Sequence, residues 1–529
     1  MIGKLKEALQ NKTRLLILLA IIEIALLILS IPFFKLNGDE AWFAEESYFM
    51  SQKGYSASNL FSGFLMEDVR IVVQHKLFIY LGAALFKILY FDLWVFRLIP
   101  ILALVVLVVF MVKYQQNYLA AGGSAGLPSA RLQLFLSLCI AFAVHDFVYL
   151  AKVGRPDMLV TLLGFISFYL LAAYHRREKY WRAGLAGFFA GLAMLAHLNG
   201  IIFVAAGLAV LLLRKKFSAS LLFGILAVAA FLPYLLDIYL HYDIFKVQIN
   251  SPLVITKTEF TLLKPLINMS REHQRLFRKP QIIIPSALFF FQLITNWRKL
   301  FDNGMRGLTV YTLLLMFFLG LFVEDKTMKY STYLIPFWGI LIARSMITMD
   351  AKRKWIFPAN AFLLLALFVT GLFWQVESVF EKENYPPLNR SIAAEMPQHS
   401  TCVAPMNFIF NEVANYKILS DYLVGYEGFG ETKIESLSDF CRKKNCKYVV
   451  FNKYGDEWDY IHDYNDTAGL LKKFEIVAAN HDFTILKCRD TSAGEPTCTT
   501  PPEAGSAVQQ YVSYMAERAR LDRKPTDIR

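Results

Sequence analysis

Apolar residues in this chain gather into long runs, parted by short polar or charged segments. A helix crossing a bilayer needs about 20 mostly apolar residues. The runs 15–34, 94–112, 132–150, 158–175, 217–240, 307–323, 331–347 and 355–375 meet or approach that length. Three shorter runs, 183–196, 200–213 and 281–296, fit as spans in a crowded bundle. Another run, 77–91 (LFIYLGAALFKILYF), is short and broken by Lys87. After residue 376 the pattern changes to that of a water-facing α/β domain. SIAAEMPQ and IESLSDFCRKKN predict helices, while CVAPM, KYVVFNK, FEIVAAN and FTILKC predict short strands. TSAGEPTCTTPPEAGSA is a linker by composition, and a short amphipathic helix is predicted near 507–521. No internal repeat is visible.

Charge sets the sidedness. Lys4, Lys6, Lys12 and Arg14 precede the first run, which places the N-terminus in the cytoplasm. Four further basic clusters lie at 176–182, 214–216, 298–306 and 352–354. All four fall inside if 77–91 lies along the outer interface, and all fall outside if it crosses. The first reading gives about eleven transmembrane helices plus an interfacial helix. The predicted fold class is a mainly α polytopic membrane protein with a C-terminal extracytoplasmic α/β domain. The predicted divisions are 1–376 for the transmembrane catalytic part, 377–490 for the outer domain and 491–529 for the linker and tail. No cleavable signal is evident, because the first apolar run is long and lacks a small-residue cleavage site.

Composition sharpens this picture. Of 529 residues 56% are hydrophobic and only 19% charged, against about 25% charged in ordinary soluble domains. Disordered, coiled-coil and collagen-like classes are excluded. The net charge of +12 is uneven: residues 377–529 hold 18 basic against 23 acidic side chains, leaving 37 against 20 in the first 376. That basic excess suits anionic lipid heads or phosphates. It is interleaved with apolar runs rather than gathered on one face, which argues against nucleic acid. Five of the six cysteines (Cys402, Cys441, Cys446, Cys488, Cys498) fall in the tail. An oxidising compartment with two disulfides and a spare thiol fits that count, as does a role as small buried apolar residues. No cysteine spacing suggests zinc.

The candidate chemistry lies in the predicted outer loops. The first holds Asn37-Gly38-Asp39-Glu40 at the start of a helix that ends near Gly54. Helix capping explains such acids locally; a carboxylate that takes a proton or holds a cation is the functional alternative. A second loop reads Lys152-Val153-Gly154-Arg155-Pro156-Asp157, tight between two spans. It is either a plain ion pair or a pair of site residues, since charge at membrane depth usually faces a cavity or partner. Gln74-His75-Lys76, and Lys326-Thr327-Met328-Lys329-Tyr330-Ser331-Thr332-Tyr333, place cations on the outer side against the positive-inside tendency. Snorkelling to lipid heads accounts for one such lysine; several together favour a bound phosphate. His197-Leu198-Asn199-Gly200 is a polar break between two helices that fits a cavity lining or an ordinary turn. Loop 241–280 adds His273, Arg271, Arg275, Arg278 and Lys279 as weaker candidates.

A carboxylate near a cationic pocket open to the membrane suits transfer from a lipid-phosphate donor. Cations stabilise the charge building on a leaving phosphate, and a carboxylate can accept the proton of an attacking hydroxyl. No Walker or glycine-rich nucleotide motif is present.

At these residues the chain resembles the GT-C membrane glycosyltransferases. The branch it looks most like includes the protein O-mannosyltransferases and the bacterial aminoarabinose or galacturonic acid lipid glycosyltransferases. The resemblance rests on GDEAWFAEESYFM, QHKLFIYLGAALFKILYFDLWVFRLIP, VGRPDMLVTLLGF, AGLAGFFAGLAMLAHLNG and KTMKYSTYLIPFWGIL, in that order through 15–347. It implies an inverting glycosyltransferase that takes its sugar from a polyprenyl- or dolichyl-phosphate donor. By the resemblance Asp39, Glu40 and Asp157 are catalytic. It also implies that Lys326, Lys329, Tyr330 and Tyr333 contact the donor phosphate; from their charge and position Arg155, His75 and Lys76 are read as further phosphate-binding residues, and His197 and Asn199 as cavity lining. Relatives often carry a proline pair near 75–76, where this chain has His75-Lys76. Metal use varies across the superfamily, so no metal is assigned and a divalent ion is left open. The acceptor is an extracytoplasmic glycolipid of the lipid A type, a glycan or a protein hydroxyl, and the expected location is a bacterial inner membrane. The alternative is a transporter or flippase of lipid-linked sugars, against which the absence of duplicated halves speaks.

Overall fold

The computed structural model describes residues 2–31, 34–73, 75–119, 127–249, 263–302, 304–347, 356–380, 383–421, 423, 437–452 and 472–489. The chain divides into two compact units. One comprises Met1–Lys35, Val72–Leu85 and Trp94–Lys382, and the other Leu36–Ile71, Phe86–Leu93 and Glu383–Arg529.

The first unit is a bundle of apolar helices. Among the described residues four are long and apolar enough to cross a bilayer: Leu93–Tyr118, Asp157–Arg177, Phe217–Leu240 and Pro358–Phe380. Shorter apolar helices occupy Leu198–Leu213, Pro280–Thr295, Arg306–Phe322 and Ile335–Ile347. The run expected as one span over 132–150 is instead two helices, Ala130–Phe142 and His145–Lys152, bent by 73° at their junction. The helix Phe217–Leu240 shows why these elements belong in lipid. Leu221, Ile225, Val228 and Leu232 form an exposed apolar stripe, while Phe223, Ala227, Ala230 and Tyr234 are buried on the other side. A surface of that kind is stable against acyl chains and not against water. The molecule is accordingly an integral membrane protein.

Small residues let these helices approach closely. A Cβ on Gly187 would sit 2.0 Å from the Phe223 carbonyl oxygen, and one on Gly191 would sit 2.2 Å from that of Ala227. The helices Tyr180–Ala196 and Phe217–Leu240 therefore meet backbone to backbone, as small-residue interfaces in membranes allow. Arg97 is buried and donates to the carbonyls of Ile31 and Phe34, both at 3.2 Å, so the end of the first helix satisfies its charge. The helix Lys76–Ile88 has 13 residues, about 20 Å of length against a hydrocarbon core of about 30 Å.

The second unit holds a five-stranded sheet of order β2-β1-β3-β5-β4. Its strands are β1 (Thr401–Ala404), β2 (Lys417–Ser420), β3 (Tyr448–Asn452), β4 (Phe474–Ala479) and β5 (Phe483–Cys488). β1 pairs in parallel with β2 and β3, and β5 pairs antiparallel with β3 and β4. Four of the five strands match the expected segments; β2 was not anticipated. IESLSDFCRKKN contains the helix Leu437–Lys443, whereas of SIAAEMPQ only residues 391–394 are helical, as the last turn of a helix, Tyr385–Ala394, that starts six residues earlier. The segment 36–71 belongs to this unit. Ser420 N–H donates to the Leu60 carbonyl at 2.9 Å, Lys444 Nζ to that of Ser62 at 2.7 Å, and Leu36 N–H to the Tyr385 hydroxyl at 2.9 Å.

The disulfide expectation is corrected: Cys139, Cys402, Cys441, Cys446 and Cys488 are free thiols. Cys402, Cys441 and Cys446 are buried and fill the domain core as small apolar residues do. Cys498 and the helix predicted near 507–521 lie outside the described residues.

Candidate active site

Two clusters carry the singled-out residues, one in each unit. In the first unit the turn Val153–Pro156 ends where the helix Asp157–Arg177 begins. The backbone N–H of Arg155 reaches the Val153 carbonyl at 2.7 Å, folding the chain so that two side chains two residues apart face each other. Arg155 Nε donates to Asp157 Oδ2 at 3.0 Å, and the Tyr333 hydroxyl donates to Asp157 Oδ1 at 3.3 Å. Asp157 and Tyr333 are fully buried and Arg155 nearly so. At the first position of its helix the carboxylate also faces the positive end of the peptide dipoles. Burial, then the Asp157 charge, pushes the Tyr330 phenol up to about 12, so it remains a hydrogen-bond donor at neutral pH.

His75 and His197 join this cluster. Their rings lie face to face, centroids 4.3 Å apart and planes 16° from parallel. Tyr330 meets His197 edge-on at 5.6 Å and Tyr333 at 5.9 Å. His197 ends the helix Tyr180–Ala196, and its Nδ1 accepts the backbone N–H of Asn199 at 3.0 Å. The turn behind it needs glycine at 200, because a Cβ there would lie 2.3 Å from the Ala193 carbonyl carbon. Burial and then the Arg155 charge hold His197 down to about 3. Burial and then the His197 ring keep His75 well below the ordinary histidine range. Asn199 itself is half-buried and contributes its backbone to the turn.

The expected cations separate into kinds. Lys76 is buried and paired with Asp237, whose other oxygen contacts His241 Nδ1 at 3.0 Å. Gln248 Oε1 accepts the N–H of Val72 at 2.9 Å. These contacts pin the segment bearing His75 and pair the Lys76 ammonium with a buried carboxylate. Lys326 is likewise committed, to Glu272 at 2.9 Å and to the carbonyls of Val323 and Gly320. Glu272 is shared with Arg275 at 3.2 Å, and the buried Arg275 guanidinium stands over the Tyr330 ring, 5.9 Å from its centroid. Lys329 differs from both. It is half-buried, makes no hydrogen bond or ion pair among the described residues, and has its pKa lowered by burial and by Arg155.

In the second unit Asn37 caps the helix Gly38–Lys53. Its side chain accepts the Asp39 N–H at 3.1 Å, and Glu40 Oε2 accepts the Asn37 N–H at 3.3 Å. This is a reciprocal capping box. Glu40, expected as catalytic, is therefore buried in a structural contact. Asp39 contributes its backbone N–H to the cap and keeps its carboxylate out of it. Behind them stand three buried glutamates. Glu45 accepts the Ser58 hydroxyl at 2.6 Å and the N–H groups of Asn59 and Leu60, both at 3.1 Å. Glu46 accepts the Ser56 hydroxyl at 2.9 Å. Desolvation pushes Glu45 up to about 7, and Glu67 is raised by burial and then by Glu46 and Glu45. Among the described residues no group of three or more His, Cys, Asp or Glu is arranged to hold a metal ion.

Glu67, Glu272 and Asp237 were not anticipated, and Arg275 only weakly. Asp237 did leave a signal, a lone acid near the end of an apolar run. Glu272 and Arg275 lay in a loop whose many charges masked them.

No family model matches the chain, and no curated protein matches it. Solved structures do. ArnT from Cupriavidus metallidurans bound to undecaprenyl phosphate aligns with a TM-score of 0.61 at 12% identity, covering 92% of this chain and 100% of that one. The oligosaccharyltransferase of Archaeoglobus fulgidus, in complex with zinc and sulfate, aligns at 0.51 and 13%, covering 83% of this chain and 67% of that one. The oligosaccharyltransferase AglB from Archaeoglobus fulgidus, in complex with an inhibitory peptide and a dolichol-phosphate, aligns at 0.50 and 13%, covering 83% of this chain and 69% of that one. The fold of this chain is the one these solved structures share.

Proposed function

We propose that this protein is an inverting glycosyltransferase that takes its sugar from a polyprenyl-phosphate donor and passes it to an extracytoplasmic acceptor. The observation that carries this reading is Lys329: a half-buried ammonium with no partner among the described residues, in the neighbourhood of Arg155, Asp157, Asp146 and Asp325. Unpaired cations are costly to bury, and a lipid phosphate would supply the missing charge. The fold supports the reading, because structures sharing it were solved with undecaprenyl phosphate and with a dolichol-phosphate.

In the transfer the acceptor oxygen forms a bond to the anomeric carbon as the bond from that carbon to the phosphate oxygen breaks. The electron pair leaves with the lipid phosphate. Lys329, Arg155 and the Tyr330 hydroxyl stabilise the charge that develops there. Asp39 takes the proton of a hydroxyl acceptor, or orients an acceptor that is already ionised. Asp157 fixes Arg155 in place. We assign Glu40 to capping, and Lys76 and Lys326 to holding the site's segments. The same reading keeps eleven crossings, with the N-terminus inside, the helix Lys76–Ile88 at the outer interface of a bacterial inner membrane, and the α/β domain outside.

The test is incubation of purified protein with synthetic polyprenyl-phosphate sugars and a membrane extract as acceptor source. Time-dependent release of lipid phosphate, lost in Lys329→Ala, supports the reading. Binding of the lipid without release from any sugar favours a carrier of lipid-linked sugars instead.

A further inference from the structure

His197 carries a polar group with no acceptor among the described residues. The residue is only 9% exposed. Its Nδ1 accepts the Asn199 N–H at 3.0 Å, and a backbone amide can only donate. Nδ1 must therefore present its lone pair, and the ring proton resides on Nε2. A doubly protonated ring would set two N–H groups against each other across that contact. The parallel His75 ring at 4.3 Å and the nearby Arg155 cation oppose a second positive charge there as well. The Nε2–H that results meets no acceptor among the described residues. Nε2 is not among the fully enclosed polar atoms of the protein, so this N–H opens onto accessible space where a ligand atom can complete it.

The neighbours narrow what that atom is. Lys329 and Arg155 are charged and suited to phosphate oxygens, where an uncharged N–H adds comparatively little. His197 stands instead among rings, with His75 on its face and the Tyr330 edge beside it. That combination of an apolar wall and one neutral donor matches a sugar ring with a hydroxyl. We propose that His197, in the Nε2–H tautomer fixed by Asn199, donates a hydrogen bond to a hydroxyl of the donor lipid's sugar and so determines which sugars are accepted. This rests on the donor-lipid reading above. A site built to pair with a hydroxyl rejects the deoxy analogue strongly, because the protein's own donor is then stranded.

The experiment uses full-length protein in detergent and two probes, bare undecaprenyl phosphate and a panel of synthetic polyprenyl-phosphate hexoses with their deoxy analogues. His197→Leu should bind bare undecaprenyl phosphate as wild type does. It should lose about tenfold in kcat/KM, the equivalent of one neutral hydrogen bond, on any hexose the wild type transfers. It should also no longer distinguish that hexose from one deoxy analogue. His197→Gln, which returns an N–H near the Nε2 position, should recover much of the loss. Weakened binding of the bare lipid phosphate, or unchanged discrimination, overturns the proposal. If the wild type transfers no panel sugar, the functional reading fails separately, and nitrogen-15 spectra of histidine-labelled protein decide the present point. A bare Nδ1 and protonated Nε2 on His197, with a response to a lipid-linked hexose and none to the bare lipid phosphate, sustains it. A protonated Nδ1, or no response to any hexose, overturns it.

Discussion

Arg155 and Asp157, two residues apart, face each other across one tight turn with Nε and Oδ2 3.0 Å apart, and neither is exposed. Removing one partner leaves the other charged and buried, at a cost of about 3–5 kcal/mol. Asp157→Ala should accordingly lower the thermal midpoint in detergent, and Arg155→Ala should do so too. The double variant should be more stable than the two losses added together. Strict additivity would mean that the pair does not act as a unit.

Lys329 and Lys76 should fail in different ways. Lys329→Ala removes a cation without stranding an anion, so undecaprenyl phosphate binding should weaken about tenfold, as loss of a charge-assisted hydrogen bond predicts. Its thermal midpoint should hold. Lys76→Ala leaves Asp237 buried and should lower the midpoint first. A titration of fluorescence against lipid phosphate, paired with a melting curve, separates the two. The distinction is lost if both variants melt early.

Asp39→Asn should abolish transfer while the helix cap stays intact, because the cap uses the Asp39 backbone N–H and not its carboxylate. Glu40→Gln should keep most activity and cost on the order of 1 kcal/mol in helix stability, since glutamine can still reach the cap N–H. Turnover by Asp39→Asn at the wild-type rate would remove that residue from the mechanism.

Glu45 predicts a pH dependence of the segment 38–69. Its folded pKa is raised from 4.5 to about 7, so the favourable contribution is complete below about 4.5 and is lost as pH rises through about 7. The full gap corresponds to roughly 3 kcal/mol. Protection factors across Gly38–Lys53, with the base-catalysed intrinsic exchange rate divided out, should therefore fall between pH 5 and 8, and Glu45→Gln should flatten that profile. Protection that stays level or rises with pH would contradict the assignment.

How much of this was legible beforehand depended on whether the information was local. The turn at 153–157, the turn at 197–200 and the tyrosines at 330 and 333 could be singled out because breaks and charges beside apolar runs are visible in one dimension. Lys76 and Lys326 looked like phosphate ligands because their partners, Asp237 and Glu272, lie far away in the chain. The 73° bend after Phe142 was invisible because apolar residues continue through it, and hydropathy does not record backbone direction. β2 is only four residues long, too short for an alternating pattern to declare itself. Glu40 was weighed as a cap and as a catalyst, and only the placement of its carboxyl oxygen favours the cap.

The close contact of Gly187 and Gly191 with the carbonyls of Phe223 and Ala227 reaches beyond helix packing. One of those two helices ends at His197; the other carries Asp237, which grips Lys76 and with it the neighbouring His75. The gap between the two imidazoles is thus inherited from a seam roughly 9–15 Å down the same helix. A methyl group added at 187 or 191 would act as a wedge, prising the rings apart from a distance. Selection for altered sugar choice should enrich changes along that seam, at positions no ligand ever touches.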